Sequence, residues 1–112
     1  MNAWNDASAT DALHALYAAA VRAADPLTVL AAHLPEPPAK GRVIVVGVGK
    51  AAAKMAQAVE AAWAHVPLTG LVIAPHGAGL PLSRIALRFG KHPTPDAGGA
   101  AAAAEILGLV QG

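Results

Sequence analysis

The chain has 112 residues, 55% of them hydrophobic and 13% charged, with a formal net charge of +1 and no cysteine. That length supplies one domain and excludes two complete ones, and the weak, scattered positive charge excludes the clustered Lys/Arg surface that nucleic acid or an anionic membrane requires. Without cysteine there is neither a disulfide nor a thiolate metal site, which fits a cytoplasmic setting.

The first residues, Met-Asn-Ala-Trp-Asn-Asp-Ala-Ser, carry acids and amides where a secretory signal would be basic and then apolar, and so read as a mature start. Thr10 and Asp11 offer a cap for a helix over about 11–24, in which Leu13, Leu16, Tyr17 and Val21 share a face. Asp25-Pro26 begins a second, short helix, and the proline-rich stretch 35–38 ends it. Residues 1–41 are therefore a helical lead-in and linker, and 42–112 form the α/β part. Each apolar run is broken well short of the ~20 residues that span a bilayer, so the expectation is a soluble protein.

Residues 42–47 are branched and unrelieved by polar alternation, as in a central parallel strand covered on both faces. A helix is expected from Gly49 or Lys50 to about His65, with Met55, Val59, Ala62 and Trp63 as its packing face, and Pro67 stops it. A second buried strand over 69–75 completes a right-handed βαβ unit. Residues 76–83 are too few for a helical crossover, so a third strand over 84–89 is expected to run antiparallel or to lie at an edge. Asp96 can cap a last, alanine-rich helix reaching about Val110. The sum is a Rossmann-like three-layer α/β/α fold, incomplete as it stands, with open sheet edges.

The chemistry concentrates in Gly47-Val48-Gly49-Lys50. Two glycines between a strand and a helix let the backbone approach an anion closely, while the helix start offers unpaired N–H groups and Lys50 adds a charge. A Walker A loop is excluded because Ile44 replaces its first glycine and Ala51 its Ser/Thr. The dinucleotide spacing G-x-G-x-x-A matches through Ala52, but Ala74-Pro75-His76 stands where an acid would hold the ribose. A generic site for phosphate or carboxylate remains, as does the plainer role of letting the helix pack closely on the sheet. His76 follows the second strand at the edge where open α/β sheets bind ligands, and His92 sits in a proline-fixed loop beside Asp96, a residue able to orient an imidazole or cap a helix. His14, His33 and His65 have no partner at metal-ligand spacing, and the sequence assembles no metal site.

Three blocks in this order are similar to the N-terminal part of the class II glycerate kinases, often labelled hydroxypyruvate reductases. They are Val-Ile-Val-Val-Gly-Val-Gly-Lys-Ala-Ala-Ala-Lys-Met-Ala (43–56), Gly-Leu-Val-Ile-Ala-Pro (70–75) and His-Pro-Thr-Pro-Asp-Ala-Gly-Gly (92–99). The resemblance covers nearly the whole chain. It implies ATP-dependent phosphorylation of D-glycerate to 2-phosphoglycerate, with Mg2+ as cofactor, in a cleft between this domain and a second one. It also implies that Lys50 is the catalytic residue here, with Gly47, Gly49, His76 and His92 binding substrate or phosphate. Phe89, Gly90 and Lys91 depart from the acidic, small context that usually precedes the family's histidine. On this reading the chain is an N-terminal fragment, inactive alone, whose nucleotide loop and second domain lie beyond Gly112. Two alternatives stay open: a nicotinamide-dependent oxidoreductase fragment, and a non-enzymatic α/β module that completes its sheet as a homo-oligomer.

Overall fold

A computed structural model describes residues 4–112; the sequence reading of the N-terminal start rests partly on residues 1–3, outside the described residues. The first helix, α1 (Asp6–Ala23), begins earlier than Thr10-Asp11 suggested. Asn5 and Ser8 form a reciprocal capping box: the Asn5 side chain accepts the Ser8 N–H at 2.9 Å, and Ser8 Oγ accepts the Asn5 N–H at 3.0 Å. Thr10 lies inside the helix and donates its hydroxyl to the Asp6 carbonyl. α1 buries none of its residues, and Leu13, Leu16 and Tyr17 are all at least 65% exposed. The molecule is elongated as a result, 66 × 37 × 18 Å, with a radius of gyration of 18.4 Å, against about 13 Å for a compact chain of this length.

Asp25 caps the single turn α2 (Pro26–Val29), accepting the Leu27 N–H at 3.0 Å, and a 3-10 turn follows over Ala31–His33. The same carboxylate pairs with Lys54 Nζ at 3.0 Å, which ties this corner to α3 (Ala52–Ala62).

The sheet contains β1 (Val43–Val48), β2 (Leu68–Pro75) and β3 (Ile85–Gly90) in that spatial order, all parallel. Two expectations are corrected. β1 is an edge strand, and β2 is the central one, with Leu71, Val72, Ile73 and Ala74 all buried. β3 lies at an edge as foreseen, but it is parallel to β2: the connection needs no helix because residues 76–84 cross over α3, where Leu82 joins the core. α3 covers one face through Ala52, Ala56 and Val72, and α4 (Ala97–Gln111) covers the other, where Ala102 packs with Leu71 and Ile73. Small side chains let both helices lie close to the sheet. Met55 is 45% exposed, so the buried stripe of α3 is Ala52, Ala53, Ala56 and Val59 rather than the Met55–Trp63 face. Among the described residues no helix is long and apolar enough to cross a membrane.

A polar clamp fastens β3 to α3. The Glu60 carboxylate accepts the backbone N–H groups of Ser83, Arg84 and Ile85, while the Arg84 guanidinium donates to the carbonyls of Glu60, Trp63 and Val66 at the end of α3. This arrangement supplies partners for helix-end carbonyls that no residue within the helix can reach, and it ends α3 at Ala62, short of the expected His65. Burial pushes the Glu60 acid up, but the three N–H donors and Arg84 outweigh it and hold the group below its ordinary 4.5. A depressed acid stabilises the fold above its unfolded value, and that contribution is lost as pH falls through the lower folded value. Glu60→Gln is therefore expected to flatten the loss of stability below about pH 4.5 and to lower stability at neutral pH by about 2 kcal/mol, both read from urea melts across pH.

Candidate functional site

The C-terminal ends of the three strands carry the site. Gly47 still belongs to β1, opposite Val72, and a β-carbon on it would lie 3.3 Å from the Val72 side chain. Its absence of side chain serves close packing. Gly49 differs: its φ is +137°, which L side chains rarely adopt, and a β-carbon there would meet nothing within 4 Å. The requirement is conformational. Its N–H continues the ladder by donating to the Ile73 carbonyl at 3.0 Å, so this group is spent on the sheet and is not offered to an anion.

Lys50 follows in the turn, exposed and ahead of the helix, which starts at Ala52 and not at the expected Gly49 or Lys50. Ala51 is the N-cap residue and supplies no side-chain hydrogen bond. The first turn of α3 thus lacks a side-chain acceptor for its leading N–H groups, and its positive end faces the same region as the lysine. Lys54, the second lysine of the motif, is already paired with Asp25.

The opposing wall comes from the β3–α4 connection. Gly90 is buried, and a β-carbon on it would sit 3.2 Å from the Gly99 α-carbon; one on Gly98 would sit 3.3 Å from the Phe89 carbonyl oxygen. These glycines let the start of α4 press against the end of β3. Asp96 caps α4, accepting the Gly99 N–H at 2.8 Å, and its other oxygen lies 3.6 Å from His76 Nε2. The N–H of Gly99, then that of Lys91, hold the Asp96 acid below its ordinary 3.8; the His76 contact adds to this, and desolvation works against it. The His92–Pro93 peptide is cis.

Between these walls lies a cavity of about 530 Å³, lined by residues 48–50, 73–75 and 90–93, Pro95, Asp96, Gly99, Ala100 and Ala103, a size suited to a small ligand. It brings Gly49, Lys50 and His92 together. Gly47 stays within the strand, and His76 stands outside the lining, 65% exposed, stacked on Phe89 at 5.9 Å and joined to the cavity only through Asp96. The imidazole beside Asp96 is thus that of His76, and not the neighbouring His92. Two residues of the lining were not singled out as site residues from sequence. Lys91 adds a second ammonium group, and Asp96 does more than cap. The signal was available in the glycines at 90, 98 and 99, which force the helix start onto the strand ends where ligands bind.

A parallel sheet with a glycine turn, a free lysine and a cavity at its carboxyl edge defines an open α/β ligand-binding domain. Residues 12–112 match the family described as "Domain of unknown function (DUF4147)", and the chain belongs to that family, the N-terminal domain of glycerate 2-kinase family proteins. A protein of Agrobacterium vitis named "Putative hydroxypyruvate reductase" is 46% identical over 109 residues, covering 97% of this chain and 25% of its own length. A second match of the same name and organism is 41% identical over 71 residues, 63% of this chain and 18% of the relative. The crystal structure of the PH0495 protein from Pyrococcus horikoshii superposes with a TM-score of 0.62 at 30% identity, over 96% of this chain and 27% of that one. The chain therefore spans about a quarter of the length of the curated relative that it matches along almost its whole extent.

Proposed function

We propose that this chain is the N-terminal segment of an ATP-dependent glycerate kinase that converts D-glycerate to 2-phosphoglycerate. The observation that carries the reading is the convergence of Lys50, the uncapped start of α3 and the Lys91-His92 loop on one cavity, in a domain of the glycerate 2-kinase family. The reaction joins the glycerate 2-hydroxyl oxygen to the terminal phosphorus of ATP as the bond to ADP breaks. Catalysis of such a transfer consists largely of positioning and neutralising charge. Lys50 and Lys91 would hold the glycerate carboxylate or the transferring phosphoryl group, the α3 amides would donate to the same anion, and His92 would line its path.

The residues suit an anion and do not suit magnesium. Among the described residues no three His, Cys, Asp or Glu side chains form a metal-binding group, and Asp96, the one carboxylate in the lining, is already engaged by Gly99 and His76. The ligands for Mg2+ would come from sequence outside this chain, as would the general base. The complete gene product, assayed with ATP, magnesium and D-glycerate, is expected to form 2-phosphoglycerate, and the 112-residue chain alone to form none. Turnover by the short chain at the rate of the complete product would overturn the division of the site.

The names of the relatives favour a second reading, reduction of hydroxypyruvate with a nicotinamide cofactor. The G-x-G-x-x-A spacing suits it, with Ala52 buried beside Val72, but the end of β2 offers His76 and no acid for the ribose. Titration of the complete product with NADH separates the two: saturable quenching with hydroxypyruvate-dependent oxidation, and no phosphoryl transfer, would replace the kinase reading.

A further inference from the structure

We propose that the free edge of β1 receives a fourth, parallel strand, supplied by the polypeptide that follows α4 in the complete protein. The proposal rests on the reading of this chain as part of a longer enzyme. Its support is geometric.

Successive peptide groups of a strand point to opposite sides. Because the Gly49 N–H donates to Ile73 on β2, the groups of Val45 and Gly47 also face β2, and those of Ile44, Val46 and Val48 face away. β1 has no neighbour on that side. Val46 and Val48 are 45% and 73% exposed, and the strand carries no charge or proline to discourage pairing. The outer strand β3, by contrast, bears Arg88, paired with Glu105 of α4 at 3.2 Å.

Handedness says which edge grows. The step from β1 to β2 passes through α3, and the step from β2 to β3 crosses the same face, where the Ser83 N–H donates to Glu60 and Leu82 joins the α3 core. α4 lies on the opposite face, against Leu71 and Ile73. Connections between parallel strands are right-handed. A crossover on the opposite face must therefore step the opposite way, back over the sheet to the far side of β1. A strand beyond β3 would need α4 on the α3 face. A second copy of the chain, related by a two-fold axis, would pair β1 with β1 antiparallel and leaves the position of α4 without a reason.

With that strand in place the sheet order reverses beside β1. The turn at Gly47–Lys50 then lies in the crevice where open α/β sheets bind their ligands, and the added strand forms the missing wall of the Lys50 cavity.

The test is amide hydrogen exchange on the complete gene product. The Val46 and Val48 amides are expected to exchange as slowly as those of Val45 and Gly47, at least ~100-fold slower than open amides. Val46→Pro, which removes only a donor facing the free edge, is expected to abolish cooperative unfolding of the complete product. Fast exchange at Val46 and Val48 beside protected Val45 and Gly47 would overturn the proposal. So would protection that disappears on dilution, which assigns the edge to a second copy, or a reading frame that stops at Gly112. Turnover is read separately, so failure of the kinase reading leaves this result standing, and the reverse.

Discussion

Lys50→Ala in the complete protein is expected to lower the rate of phosphoryl transfer about 100- to 1,000-fold without moving the melting temperature. Lys50 is exposed, sits ahead of α3 rather than in it, and makes no ion pair among the described residues, so its removal leaves the packing of the domain untouched. Its ammonium group lies at the end of β1, where the open first turn of α3 and the loop at Lys91 also point. Positive charge at a helix start is mildly unfavourable in the absence of an anion, so the variant without it should be no less stable. Lys54→Ala is the matched control. It breaks the contact with Asp25, a partly exposed pair whose loss costs about 0.2–1 kcal/mol, and it should leave the transfer rate within about twofold because Lys54 does not line the cavity. Equal activity in Lys50→Ala and the parent, by steady-state kinetics at saturating ATP, would remove Lys50 from the chemistry.

The largest expected effect on folding is that of Gly70→Ala. Gly70 is the third residue of β2, paired in register with Val45 on β1 and with Ile85 on β3. A β-carbon there would stand 2.0 Å from the Val45 carbonyl oxygen and 2.9 Å from its carbon, both backbone atoms that no rotamer can move. The methyl group can be accommodated only by parting β1 from β2, which dismantles the central pairing of a sheet with three strands. A loss above about 4 kcal/mol is expected, a size reserved for such backbone conflicts, and against a typical total of about 5–15 kcal/mol it leaves little folded protein. Far-ultraviolet circular dichroism of the purified variant measures this, and native-like spectra with an unchanged urea midpoint would contradict it. The same methyl group at Gly108, where nothing lies within 4 Å, is the permissive comparison.

What could be read from the sequence, and what could not, follows from the range of the forces involved. α2 and α4 were legible because Asp25-Pro26 and Asp96 are local signals, complete within a few residues of the helix that they start. β2 was legible because burial on both faces leaves an unbroken apolar run. β1 shows the limit of that argument: its run is equally apolar, yet composition records the environment that a strand is built for, and here one side of the strand stands open. The direction of β3 depended on a crossover held by Glu60 and Arg84, two residues 24 apart whose partnership has no local signature. The beginning of α1 was missed for a different reason. Asn5 and Ser8 make as good a capping box as any, but the apolar periodicity begins several residues later and drew the boundary after it. At the site, the family motif located Lys50 and His92, while the link from His76 to Asp96 and the inward position of Lys91 came from three glycines that bring a helix start against a strand end.

The capping box at Asn5 and the bare surface of α1 together have a thermodynamic consequence. A helix of 18 residues that buries none of them takes its order from its own alanines, its cap and its internal hydrogen bonds, and so obeys helix–coil statistics rather than the all-or-none melting of the sheet. The chain therefore divides its heat absorption unequally. Calorimetry registers the sheet with α3 and α4 as one sharp peak, whereas ellipticity at 222 nm also declines along a gradual slope as α1 frays. The two methods weigh different parts of the same molecule, and the steepness of the optical transition understates the cooperativity of the core.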